Sequence, residues 1–367
     1  MAEMVLQHPP MRSISSPCKS SLCFVLCILV VEVFCSEHLP RYNPINISGY
    51  HISEAGATAV QEAAFTIANG IAYVEEVVTA GVPVDSFAHR LAFYFVSQSD
   101  FFEEIAKFRS VRCIWAKIMK DRFKAQKPES MRLRFHCQTA ASTLTRSQPI
   151  NNVIRTTLQA LAAVLGGAQS LHANGLDEAY AIPSEQAMKL ALRTQQILAE
   201  ETGIPYVADP LGGSYYIEAL TKRFEDAVWE ILAEVDRMGG AIAIERGYFQ
   251  REIAESAYKT AQRKAAGDQV VIGSNKFVDN ADTTAIEVHH VDPEAEARQI
   301  ARLKATREKR DNERVKQLLD RLEHDAQDTS VNLMPITIEL VKARASIGEI
   351  VSRLRTVFSV YVEEPVF

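Results

Sequence analysis

The chain has no CxxC pair, no GxSxG elbow, no dense basic segment, no low-complexity tract and no internal repeat. The first absence removes the zinc-ribbon and thioredoxin readings. The second removes the nucleophile of an α/β-hydrolase. The formal net charge of -6, with no basic stripe, excludes a nucleic-acid binder, which would concentrate Lys and Arg on one face. Cysteine is scarce in the body of the chain. Cys18, Cys23, Cys27 and Cys35 fall in the first tenth, which leaves Cys113 and Cys137 for the remainder. Isolated cysteines in a large body suit a reducing compartment, the cytoplasm or an organelle matrix. Long apolar runs are missing too. The run at 22–31, preceded by Lys19, continues past Glu32 to Val33 and Phe34 and is too short for a comfortable membrane span. It resembles a secretory signal; a leader unrelated to the body, from an aberrant start of the reading frame, fits as well.

What is present is the composition of a packed protein. Of 367 residues, 47% are hydrophobic and 23% charged, enough for one large domain or two ordinary ones. From Ile45 short apolar segments alternate with amphipathic stretches, the pattern of parallel βα units. The segment 46–50 reads as a strand ending in a glycine turn. Ala57, Val60, Ala64, Ile67, Ile71, Val74 and Val78 then form one helical stripe, stopped by Gly81 and Pro83. The stretch 85–123 reads as helical, in two or three pieces. Strands are expected at 131–137, 168–172 and 204–208, with helices at 152–165, from Pro183 to about Thr202, and along Leu220, Phe224, Val228, Ile231 and Val235. These make about four βα units, half of the eight in a (β/α)8 barrel, so both sheet edges are expected to be open. Beyond Val291 the chain is densely charged and helical, with further helices in 334–358. The expected division is a leader at 1–36, the partial barrel at 37–280 and a helical linker region at 281–367.

Functional groups of such folds sit at strand carboxyl ends and in the loops that follow. Four of these places are polar: 48–51, 136–139, 170–174 and 209–215. Three contain a histidine. Histidines converging on a metal are one reading, but no carboxylate-rich motif at metal-ligand spacing accompanies them, and no metal is expected.

These segments carry a resemblance. Ile47-Ser48-Gly49-Tyr50-His51, Arg134-Phe135-His136-Cys137-Gln138-Thr139, Gly166-Gly167-Ala168-Gln169-Ser170-Leu171-His172-Ala173-Asn174 with Asp177-Glu178-Ala179, and Asp209-Pro210-Leu211-Gly212-Gly213-Ser214-Tyr215-Tyr216 resemble, in order and spacing, the acyl-CoA-binding catalytic domain of the methylmalonyl-CoA mutase family. The resemblance covers roughly 37–367. It implies a partial TIM-type α/β barrel, an isomerase of the methylmalonyl-CoA/succinyl-CoA type, and adenosylcobalamin, which supplies the deoxyadenosyl radical.

By motif it also implies roles. Tyr50 sits beside the substrate and helps drive the adenosyl group off cobalt. His51 hydrogen-bonds the thioester carbonyl. Glu54 faces the adenosyl ribose, Gln138 the corrin or its amides, and Asn174 and Glu178 the deoxyadenosine hydroxyls. Arg90, Gln169 and Ser170 hold the pantetheine and phosphates of CoA. Glu129 and Ala92 stand where the family has a CoA-binding Lys and a Ser; Ala173 and Ala141 replace a Thr and a Gly. No DxHxxG cobalamin motif occurs. The expected partners are therefore an acyl-CoA and a cobalamin-binding small subunit, within a homo- or heterodimer. The isolated chain is expected to be inactive. The competing readings are a non-catalytic fragment or subunit that needs partner chains, and an interaction protein using the charged helices beyond Val291.

Overall fold

The computed structural model describes residues 39, 41–240, 242–279, 286–328 and 331–360. The leader expected at 1–36, with four of the cysteines, lies outside them. Among the described residues no helix is long and apolar enough to cross a membrane. The chain divides between His289 and His290 into two compact units.

The first unit is α/β. Strands β1 (Asn46–Ser48), β2 (Ala92–Ser97), β3 (Phe135–Thr139) and β4 (Ser170–His172) form one parallel sheet in chain order. Helices α1 (Ala59–Thr79), α2 (Phe101–Asp121), α3 (Asn151–Leu165) and α4 (Glu185–Glu200) follow the strands, and α5 (Tyr215–Arg237) and α6 (Tyr248–Ala266) complete the unit. Alternation along the strands separates two faces. Ile47, Phe93, Phe95, Phe135 and Cys137 are buried against the helices, with Trp115 of α2 edge-on to Phe93 at 4.8 Å. The other face carries Ser48, Tyr94, His136 and Ser170 in one row and Val96, Gln138 and His172 in the next. This second face is polar and, at Ser48, Tyr94, His136, Gln138, Ser170 and His172, not fully buried.

Three elements depart from the sequence expectation. The second strand is Ala92–Ser97, inside the stretch read as helical. Phe93 and Phe95 bury alternate positions there, and α2 begins at Phe101, where Asp100 caps it through Glu103 N–H at 3.2 Å. The third strand starts at Phe135, because Pro128–Met131 forms a helical turn first. The strand expected at 204–208 is absent. Pro205 lacks a ladder donor, Ile204–Tyr206 is a 3-10 turn, and Tyr206 and Val207 are 89% and 57% exposed. The four βα units thus start at Asn46, Ala92, Phe135 and Ser170.

The junction after β1 is tight. A Cβ on Gly49 would meet Thr66 Oγ1 at 2.2 Å, with Glu62 Cγ at 3.1 Å. Gly49→Ala is expected to destabilise the first unit by about 1–3 kcal/mol through overpacking. A thermal midpoint unchanged from wild type would refute the contact.

The second unit contains α7 (Pro293–Lys309), α8 (Asn312–Asp325), α9 (Met334–Lys342) and α10 (Ile347–Phe358). Val315, Leu318, Leu319, Leu322, Ile336, Leu340 and Ile350 form its core, to which α7 contributes no buried residue. Arg310 grips Glu349 through both carboxylate oxygens at 2.5 and 2.8 Å. That fork holds the Glu349 carboxyl well below the usual carboxylate range.

Candidate active site at the carboxyl end of the sheet

At Gly49 the chain leaves the sheet and turns into a short helix, Tyr50–Glu54. The Tyr50 ring lies parallel to Tyr94 of β2, with centroids 5.0 Å apart. Gln138 of β3 is the hub of the cluster. Its Nε2 donates to Tyr50 Oη at 3.1 Å and to Asn174 Oδ1 at 2.8 Å, and its Oε1 accepts from Tyr94 O–H. Asn174 is buried, and Thr139 holds it: its N–H donates to Thr139 Oγ1 at 2.9 Å and its Nδ2 to Thr139 O at 2.8 Å. Tyr50, Gln138 and Asn174, which the motifs place in one site, are therefore in direct contact.

His51 is exposed. Its Nδ1 pairs with Ser48 Oγ at 3.0 Å, and its Nε2 has no hydrogen bond among the described residues. A ring fixed through one nitrogen and open at the other has one position free for a hydrogen bond. His136 and Ser170 pair across the polar face at 2.8 Å. Burial holds the imidazolium forms of His136 and His172 below the ordinary histidine range, and the neighbouring His172 adds to the effect at His136.

Glu54 accepts from Ser142 N–H at 2.8 Å and Ser142 Oγ at 3.2 Å. Burial raises the Glu54 carboxyl, and burial with the neighbouring Asp177 and Glu54 raises Glu178. The two phenols respond in turn. Burial first, then the charge of Glu54, pushes Tyr50 far above a free phenol. Burial, Cys137, Glu54 and Glu178 push Tyr94 up to about 12. Both stay protonated at neutral pH and keep their hydrogen-bonding protons.

The other predicted residues sit elsewhere. Arg90 precedes β2 at the amino end of the sheet, 2% exposed, and donates to Ser86 O at 3.2 Å. Burial, aided by Arg90, Arg134 and Lys127 and opposed by the exposed Glu129, lowers His89 there. Ala92 lies in register with Asn46 at the same end. Gln169 is engaged locally: its Oε1 accepts from Phe135 N–H at 2.7 Å and its Nε2 donates to Gly167 O at 2.6 Å. Ser170 belongs to the middle of the polar face.

The loop at 209–216 is not part of the mouth. Arg109 of α2 clamps it through Asp209 and through Glu218 at 2.7 Å, and a groove beside Asp209 is lined by Gly167, which precedes β4. Its polarity serves docking on the helix layer. Tyr94 and Ser142 are the residues that the sequence reading missed. The alternation of Phe93, Tyr94, Phe95 and Val96 was the available signal for Tyr94. No group of three or more His, Cys, Asp and Glu among the described residues could hold a metal ion.

Parallel strands that gather phenol, amide, imidazole and carboxylate groups at their carboxyl ends form the catalytic layer of an α/β enzyme. The family model described as methylmalonyl-CoA mutase matches residues 16–360, and the chain belongs to that family. It is 60% identical over 338 residues to the 2-hydroxyisobutanoyl-CoA mutase large subunit of Aquincola tertiaricarbonis, covering 92% of this chain and 60% of that one. It is 41% identical over 335 residues to the methylmalonyl-CoA mutase of Rhizobium meliloti, covering 90% and 47%. Over 335 residues it is 39% identical to the mitochondrial methylmalonyl-CoA mutase of Homo sapiens, covering 90% and 44%. The chain spans about half the length of the curated relatives it matches.

Proposed function

We propose that this chain supplies the catalytic face of an adenosylcobalamin-dependent acyl-CoA mutase, an isomerase that moves a thioester carbonyl between adjacent carbons. The observation that carries the reading is the Tyr50–Gln138–Asn174 contact, flanked by Tyr94 and His51 at one sheet end. Its four parallel strands act as half of a (β/α)8 barrel, with the polar face turned inward to the substrate.

The residues fit the cofactor. Glu54 and Glu178 are half-buried carboxylates with acceptor capacity to spare, and Asn174 adds an amide, a set suited to a nucleoside's hydroxyls. Gln138 would meet the corrin amides through Oε1, since both of its Nε2 protons are engaged. Adenosylcobalamin, when bound, supplies the carbon radical that starts the rearrangement. Tyr50 and Tyr94 present a flat, unionised wall that excludes water from that radical. His51 Nε2–H donates to the thioester oxygen as electron density builds there. Ser170 would lie along the path of the CoA chain, whereas Arg90 is buried at the amino end of the sheet and bonded to Ser86 O.

The 60% identity to a 2-hydroxyisobutanoyl-CoA mutase large subunit favours a branched hydroxyacyl-CoA over methylmalonyl-CoA as substrate. That relative's designation also points to a separate small subunit as partner. The test is a chimera in which residues 41–279 replace the matching segment of the Aquincola subunit, assayed with its partner, adenosylcobalamin and each thioester. Isomerisation of the hydroxyacyl substrate is expected. Isomerisation of methylmalonyl-CoA alone overturns the substrate assignment, and a folded chimera inactive on both overturns the mutase reading.

A further inference from the structure

Beneath the mouth lies a group of charges with no part in the chemistry above. Glu62 of α1 and Glu104 and Lys107 of α2 are all 0% exposed. Lys107 Nζ donates to Glu62 Oε2 at 2.7 Å, to Glu104 Oε2 at 2.5 Å and to Val96 O at 2.9 Å, so all three ammonium protons are used. Burying such a group is costly, and hydrophobic residues of the same volume often serve stability as well. Its place at the end of β2 suggests a specific task.

β1 is three residues long, and the pairing at its end runs from Gly49 N–H to Tyr94 O at 2.7 Å. In a parallel ladder alternate residues address the same neighbour. Phe93 and Ser97 address β3, through Arg134 O and Ala140 N–H. Val96 therefore turns its N–H and C=O to the side that β1 has left, at 0% exposure. Glu62 Oε1 accepts from Val96 N–H at 2.8 Å, while Lys107 donates to Val96 O. The buried ion pair offers one acceptor and one donor at the place where a longer β1 would have offered a peptide.

We propose that Glu62 and Lys107 are positioning residues that stand in for the continuation of β1, so that the chain can leave the sheet at Gly49 and lay Tyr50 across Tyr94. A longer β1 would run Tyr50 and His51 straight on and away from Gln138. An apolar pair would leave two buried backbone groups of Val96 without partners. Val96 is in register with Gln138 and two residues from Tyr94, so slack at Val96 reaches both bonds that orient the hub.

The inference rests on the mutase reading for its consequence in turnover, but its test needs no turnover. The chain, labelled at Gln side chains and Val amides, is followed by NMR hydrogen exchange. In Glu62→Gln an acceptor oxygen remains for Val96 N–H, but the charge that strengthens that bond and pairs with Lys107 is gone, so exchange of the Val96 amide and the Gln138 side-chain amide is expected to rise roughly tenfold. Glu225→Gln, which breaks the Lys117–Glu225 pair of the same unit, should leave both signals unchanged. The proposal is overturned by a folded Glu62→Gln with Gln138 exchange as in wild type, or by an equal rise in Glu225→Gln. If Glu62→Gln does not fold, wild-type Val96 decides. Protection like that of the ladder amides supports the strand substitute, and exchange at an open-chain rate overturns it. An inactive chimera with these shifts intact would sink the mutase reading and leave the positioning role standing.

Discussion

In a complete enzyme built around this chain, His51→Ala is expected to lower kcat by about 10²–10³ with modest change in KM, the usual loss for one donor to a developing oxyanion. His51 is bound through Nδ1 to Ser48 and is open at Nε2, so the donor is aimed by one contact and free to act by the other. The thioester oxygen gains electron density as the acyl group migrates, so the bond strengthens during reaction. His51→Gln keeps a donor and should lose less. A role in capping the strand would give another pattern: lower melting temperatures for both variants and nearly full turnover per folded molecule. The exposure of His51 already argues against such a role. Measuring kcat and the thermal midpoint side by side separates the two, and an unchanged kcat in His51→Ala removes His51 from the mechanism.

Gln138→Leu is expected to destabilise the first unit by about 2–4 kcal/mol, because it strands three polar groups at once. Asn174 Oδ1 loses its donor at 2% exposure, and that loss should dominate. Tyr50 Oη and Tyr94 O–H are half-buried, and water satisfies them in part. The side chains have similar volume, so a cavity adds little. Urea unfolding followed by tyrosine fluorescence reads the change. A loss below about 0.5 kcal/mol, the scale of an ordinary surface substitution, would show that the hub is not formed.

The leucine, valine and alanine spacing of α1, α3 and α5 was legible because helical periodicity is local. Ser184 caps its helix where the sequence suggested a helix start, while Thr58 caps α1 so that Ala57, read as part of the stripe, lies just before it. Strand β2 was not legible. Its six residues stand between helical turns at Val84–Arg90 and the strongly helical α2, and a window long enough to see a helix averages the alternation away. The segment at 204–208 failed for the opposite reason. It is apolar and short like a strand, but pairing needs a neighbour, and Ile204, Pro205 and Val207 instead line a groove with Arg112, Val164 and Leu165 on the helix layer.

The sequence by itself determined which polar residues gather at the strand ends, because Tyr50, His51, Gln138 and Asn174 stand in motifs whose spacing follows each strand. It determined the family by the same route. Only the tertiary structure decided that the 209–216 motif serves docking, since Arg109 and Asp209 are far apart in the chain and meet through the packing of α2 against α5. Only the tertiary structure put Tyr94 against Tyr50, through a register between strands more than forty residues apart. It alone placed Glu62 and Lys107 beside Val96. A helix records which of its faces is apolar, but the strand whose backbone a buried charge will complete is fixed by how helix and sheet come together.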